Sequence, residues 1–91
     1  MTESPRVASG VFWTVESAGV LIIPRLGRKL FLSGLEAAAW DLISRGDAPE
    51  RAIPKLAVMG RVTTEDATSA LTGWLREWAR AGWLVGGDSD G

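Results

Sequence analysis

The 91-residue chain has no cysteine and no histidine. Without cysteine there is no disulfide and no thiolate chemistry. Without histidine the commonest general base and the commonest metal ligand are both missing. Scattered carboxylates are all that remain to hold a metal, and no glycine-rich loop runs into a Lys-Ser/Thr pair that could cradle a phosphate. No block of like charge occurs, and the net charge is −1. That balance disfavours a dedicated nucleic-acid binder, which needs clustered Lys and Arg against phosphates. No apolar run reaches the roughly 20 residues of a membrane span, and the polar start has no signal-like apolar region. A cytoplasmic, cofactor-free, non-catalytic protein is expected.

Apolar residues make up 46% of the chain, enough for one small core. Residues 1–10 read as a flexible arm and 86–91 as a polar tail, with one domain over 11–85. Val11 to Val15 and Val20 to Ile23 are β-branched, aromatic or aliphatic runs that predict strands. Gly19 lies in the turn between them. Pro24 closes the second strand, and Lys29 to Leu32 forms a third, in an antiparallel meander.

Three helices follow. The first runs from Gly34 to Arg45, with Ser33 and Glu36 at capping-box spacing. Leu35, Ala38, Ala39, Leu42 and Ile43 share one face, which Trp40 flanks. The second follows a capping pattern at Asp47 to Glu50; it starts near Arg51 or bends at Pro54, and Gly60 closes it. The third is capped by Thr63 or Thr64 and runs to Ala81, with a stripe of Ala67, Ala70, Leu71, Trp74, Leu75, Trp78 and Ala81. Trp83 to Val85 returns onto the core. Strands followed by helices define an α+β fold, and a three-stranded antiparallel sheet with three helices is the composition of a winged helix-turn-helix.

The adjacent carboxylates Glu65 and Asp66 sit at a helix start, where the dipole already explains them. Binding is better supported. An open third strand is a template for an added peptide strand. Five tryptophans are many for a small core, and one half-exposed beside that strand would anchor a peptide. Arg25, Arg28 and Lys29 gather at the strand's start, either protecting the edge or attracting an acidic peptide. A winged-helix DNA-binding regulator is the alternative. Its recognition helix would carry Arg76 and Arg80 but also Glu65, Asp66 and Glu77.

The run Leu32 to Ile43 (LSGLEAAAWDLI), then Arg45-Gly46, then a capped helix with Ile53 and Leu56, resembles the PqqD family. Val20 to Pro24, Leu26-Gly27, and Leu75 with Ala81 to Leu84 extend the likeness over about residues 11–85. Arg45-Gly46 in place of Asp-Gly, and Pro54 inside the second helix, depart from it. The resemblance implies a stand-alone precursor-peptide recognition element of the biosynthesis of ribosomally made, post-translationally modified peptides (RiPPs). Such a domain takes the leader segment as a strand on its third strand, against its third helix. It then delivers the precursor to a radical SAM protein, a cyclase or a leader peptidase. The implied peptide site is Arg28, Lys29, Leu30, Phe31 and Leu32 with Leu71, Trp74, Leu75 and Trp78. Which face of the strand meets the helix is left open. Leu30→Pro would test the ladder by removing a donor, and the same open edge permits an edge-paired homodimer.

Overall fold

The computed structural model describes residues 4–86. In chain order the elements are β1 (Arg6–Val7), β2 (Phe12–Glu16), β3 (Gly19–Ile23), β4 (Leu30–Ser33), α1 (Gly34–Ser44), α2 (Pro49–Gly60), α3 (Thr64–Arg80) and β5 (Leu84–Val85). The fold is α+β. Strands β2, β3 and β4 form an antiparallel sheet in that order, and β1 pairs antiparallel with β5. The second pairing corrects the expectation of a flexible arm over 1–10. Arg6 stands opposite Val85, Val7 stands opposite Leu84, and Ala8 N–H donates to the Trp83 carbonyl at 2.8 Å. Residues 1–3 of that arm, and 87–91 of the expected tail, lie outside the described residues.

Strand pairing sets the faces of the sheet. Trp13, Ile22 and Leu30 share one cross-strand row, and Val15, Val20 and Leu32 the next. Val20, Ile22 and Leu32 are buried, so these rows face the helices. Phe12, Thr14, Leu21, Ile23 and Phe31 lie on the outer face.

All five tryptophans belong to one cluster. Trp40, fully buried on α1, meets Trp13, Trp78 and Trp83 edge-to-face at centroid distances of 5.7, 5.2 and 6.0 Å, and Trp74 stacks on Trp78 at 6.5 Å. Trp40 is thus the centre of the core and not the flank of a stripe. Edge-to-face contact sets the positive rim of one ring on the negative face of the next.

The caps differ in part from expectation. Ser33 is the N-cap of α1, but its hydroxyl makes no capping bond. Gly34 enters the helix at φ +61, a left-handed conformation that glycine adopts without a Cβ clash. Ala48 is the N-cap of α2, with Pro49 in its first turn, while Asp47 pairs with Lys55 at 2.7 Å. Pro54 is accommodated inside α2 without ending it. Thr63 caps α3 as expected, accepting from Asp66 N–H at 3.0 Å. Helices α1 and α3 both close with paired backbone bonds: Asp47 to Leu42 and Gly46 to Ile43 in one, Trp83 to Trp78 and Gly82 to Ala79 in the other. Arg61, not Gly60, takes the left-handed position after α2. Gly60 is instead a close approach, since a Cβ there would lie 2.8 Å from Leu35 Cδ2.

Candidate functional site

Both outer strands of the sheet, β2 and β4, are edges. Only β4 runs directly into α1, the helix that also holds α3. Among the described residues β4 and α3 each pack on α1, but no Cα of one comes within 8 Å of the other. The two backbones are thus held apart, with α1 packed against both.

The hairpin at the other end of the sheet settles which backbone groups of β4 are free. Glu16 and Gly19 flank the two-residue turn Ser17-Ala18. In such a hairpin the closing pair exchanges hydrogen bonds, and the pattern then alternates. Gly19, Leu21 and Ile23 therefore address β2, and Val20 and Ile22 address β4. Across the ladder Leu30 and Leu32 point their N–H and C=O inward. The position of Gly19 agrees: a Cβ built on it would lie 2.0 Å from the Leu32 carbonyl oxygen. Phe31 consequently presents its N–H and C=O to the open edge. Leu30→Pro would thus damage the sheet itself, and Phe31→Pro is the substitution that removes an outward donor.

The expected peptide-contacting residues separate on this geometry. Arg28 and Lys29 are exposed at the start of β4, beside Arg25. None of the three has an ion-pair partner among the described residues. Leu30 is 49% exposed on the face toward the helices, while Phe31 is 47% exposed on the opposite face, its ring packed over Gly19. Leu32, Leu71 and Trp78 are buried, so they belong to the core and offer no surface to a peptide. Trp74 and Leu75 are half-buried. At 100° per residue Leu75 lies about 160° round α3 from Glu77, whereas Trp74 is Glu77's neighbour one turn back.

Glu77 matters because it marks the side of α3 turned toward α1. Glu36, in the first turn of α1, is half-buried against Trp78 and Glu77. Burial pushes its carboxyl above the ordinary carboxylate value, the Trp78 indole N–H pulls it down, and the Glu77 charge adds to the rise. Trp78 Nε1 is buried without a partner in hydrogen-bond geometry, so it acts on the carboxylate as a nearby dipole. The expected role of Glu36, a capping-box partner, gives way to a half-buried place beside α3. Its spacing to Trp40 and Ile43 (i, i+4, i+7) is the signal that marks it as part of the buried stripe.

Because the fold raises this carboxyl, the native state binds the proton more strongly than the unfolded chain. Ionised Glu36 is then a penalty at neutral pH, and it fades as pH falls through the folded value. Glu36→Gln is expected to raise the thermal midpoint at pH 7, and the gain should shrink in acid. Paired thermal melts at the two pH values would show it; a lower midpoint at pH 7 would contradict this placement.

An exposed sheet edge has unpaired backbone groups that an extended segment can pair with. The chain's fold is found in a known complex: it is similar to TbiB1, solved in complex with the TbiA(beta) leader peptide. The TM-score is 0.81 at 19% identity, over 87% of this chain and 93% of that one. No model of a known protein family matches the sequence, and neither does any curated protein. The match supports, at the level of fold, the resemblance to PqqD-like recognition elements. No helix among the described residues is long and apolar enough to cross a membrane.

Proposed function

We propose that this chain is a non-catalytic adaptor, a winged helix-turn-helix in its working form. It binds the leader segment of a ribosomally synthesised precursor peptide as an added strand on β4. It then delivers the precursor to a RiPP-modifying enzyme or leader peptidase. The observation that carries this reading is the open β4 edge, whose register turns the Phe31 N–H and C=O outward. The likeness to a leader-bound protein supports it.

The energetics divide between backbone and side chains. Each hydrogen bond to the edge contributes about 0.5–1.5 kcal/mol net, too little for selectivity. Leader side chains of Leu or Phe size, buried between Leu30 and Trp74, add about 1.5–3 kcal/mol each. A ladder with two such anchors reaches micromolar affinity after the cost of association.

The DNA-binding alternative fares worse. The N-terminal end of α3, which would lead a recognition helix into a groove, carries Glu65 and Asp66. With Thr64, Thr68 and Ser69 they line a shallow surface depression that would repel phosphate.

Fluorescence polarisation with a labelled leader peptide from a precursor encoded beside this gene tests the proposal. Binding should be saturable and survive added salt. Phe31→Pro should weaken it by tenfold or more, on the order of one lost bond plus a displaced strand, while the circular dichroism stays folded. Unchanged affinity in folded Phe31→Pro would rule out strand addition at β4.

A further inference from the structure

The two ends of the β4 edge carry opposite, uncompensated charge. At its start stand Arg28 and Lys29, with Arg25 nearby, exposed and unpaired among the described residues. At its far end, where Ser33 passes into α1, stands Glu36. Glu77 of α3 lies near it, since Trp40, one turn on from Glu36, and Trp78, next to Glu77, are in ring contact at 5.2 Å, and neither carboxylate is in an ion pair among the described residues. Lys29 and Ser33 are about 13 Å apart at the rise of an extended strand.

The acidic end is more than a surface accident. Glu36 is half-buried, and it has lost water without gaining a cation. Its one favourable neighbour, the Trp78 indole, is itself 1% exposed with Nε1 lacking a hydrogen-bond partner. A carboxylate desolvated beside a second carboxylate gains most from an incoming cation, because the partner relieves burial and repulsion together. The same cation at the other end of the edge would meet Arg28 and Lys29 and be repelled.

We infer that the peptide strand taken up by β4 is bipolar, with a Lys or Arg held between Glu36 and Glu77 and an Asp or Glu held by Arg28 and Lys29. This rests on the strand-addition reading and deepens it, since the charges set direction and register, which a backbone ladder leaves open. The β2–β3–β4 sheet is antiparallel throughout. An antiparallel newcomer places its N-terminal side at the end of β4. The basic residue therefore precedes the acidic one, by about four or five residues at 3.3 Å each. Negative selection works alongside the attraction. A segment with the charges in the other order sets like against like at both ends.

Panning a phage-displayed library of random peptides, roughly twelve residues long to span the edge with a margin, reads this directly. Peptides with the base before the acid should outnumber the reverse order by about tenfold, the combined effect of two charge pairs and their repulsive counterparts. The double variant Glu36→Lys with Glu77→Lys should lose or invert the order while still enriching edge-dependent peptides. Enriched peptides without charge order, whose binding Phe31→Pro abolishes, would overturn the bipolar assignment and leave strand addition standing. No enrichment, or enrichment indifferent to Phe31→Pro, would overturn both. Thermal melts confirm that each variant is folded before it is panned.

Discussion

Trp40→Ala is expected to remove a large share of the chain's stability. Trp40 is fully buried and touches Trp13, Trp78 and Trp83, which come from β2, from α3 and from just before β5. Truncating a buried tryptophan to alanine costs about 3–5 kcal/mol, partly in lost transfer energy and partly in the cavity left behind. A domain of this size has about 5–15 kcal/mol in total. Part of that cost is the loss of three edge-to-face contacts, worth about 0.5–1.5 kcal/mol apiece beyond area. Trp40→Phe should cost much less. It keeps a ring at the centre, and it deletes Nε1, which is buried without a partner. Urea denaturation followed by far-ultraviolet circular dichroism would rank the two, without relying on fluorescence that the substitution itself removes. A Trp40→Ala midpoint equal to that of Trp40→Phe would refute the central role given to this side chain.

That role also shows what the sequence makes legible. The meander and the three helices are visible because their periods differ: β-branched runs cut by Gly and Pro, then apolar positions every three or four residues. The β1–β5 pairing is hidden, because Arg6–Val7 lies in a stretch rich in Ser, Pro and Gly, and two residues carry no period. Periodicity likewise marks Leu71, Trp74 and Trp78 as one stripe but cannot tell its buried members from its half-buried one; packing decides that. For Glu36 two local patterns compete. The spacing to Ser33 suggests a cap, the spacing to Trp40 a buried stripe, and the structure, with no cap bond from Ser33 and Glu36 half-buried, follows the stripe. The free groups of β4 depend on a turn more than ten residues upstream, so no reading of β4 alone could have separated Leu30 from Phe31.

Gly19→Ala connects this register to function. Replacing glycine by alanine in an unstrained strand tends to stabilise, by about 0.4–1 kcal/mol, through the entropy of the unfolded chain. Here the sign is reversed by space. The new Cβ would lie 2.0 Å from the Leu32 carbonyl oxygen and 2.9 Å from Phe31 Cζ. The first is backbone in the sheet and cannot swing aside, so β4 must move away from β3. Overpacking of this kind costs about 1–3 kcal/mol, occasionally more, which outweighs the entropic gain. The displaced strand is also the proposed docking edge, so leader affinity should fall even in the fraction that stays folded. Gly73→Ala is the control. Gly73 is exposed within α3, and a Cβ there meets nothing within 4 Å. Alanine should stabilise that helix by about 1 kcal/mol and leave leader binding intact. Urea midpoints and leader titrations on both variants separate the cases. A Gly19→Ala protein as stable as the parent would mean that β4 does not sit in the register described. A destabilised one with full leader affinity would mean that the peptide docks elsewhere.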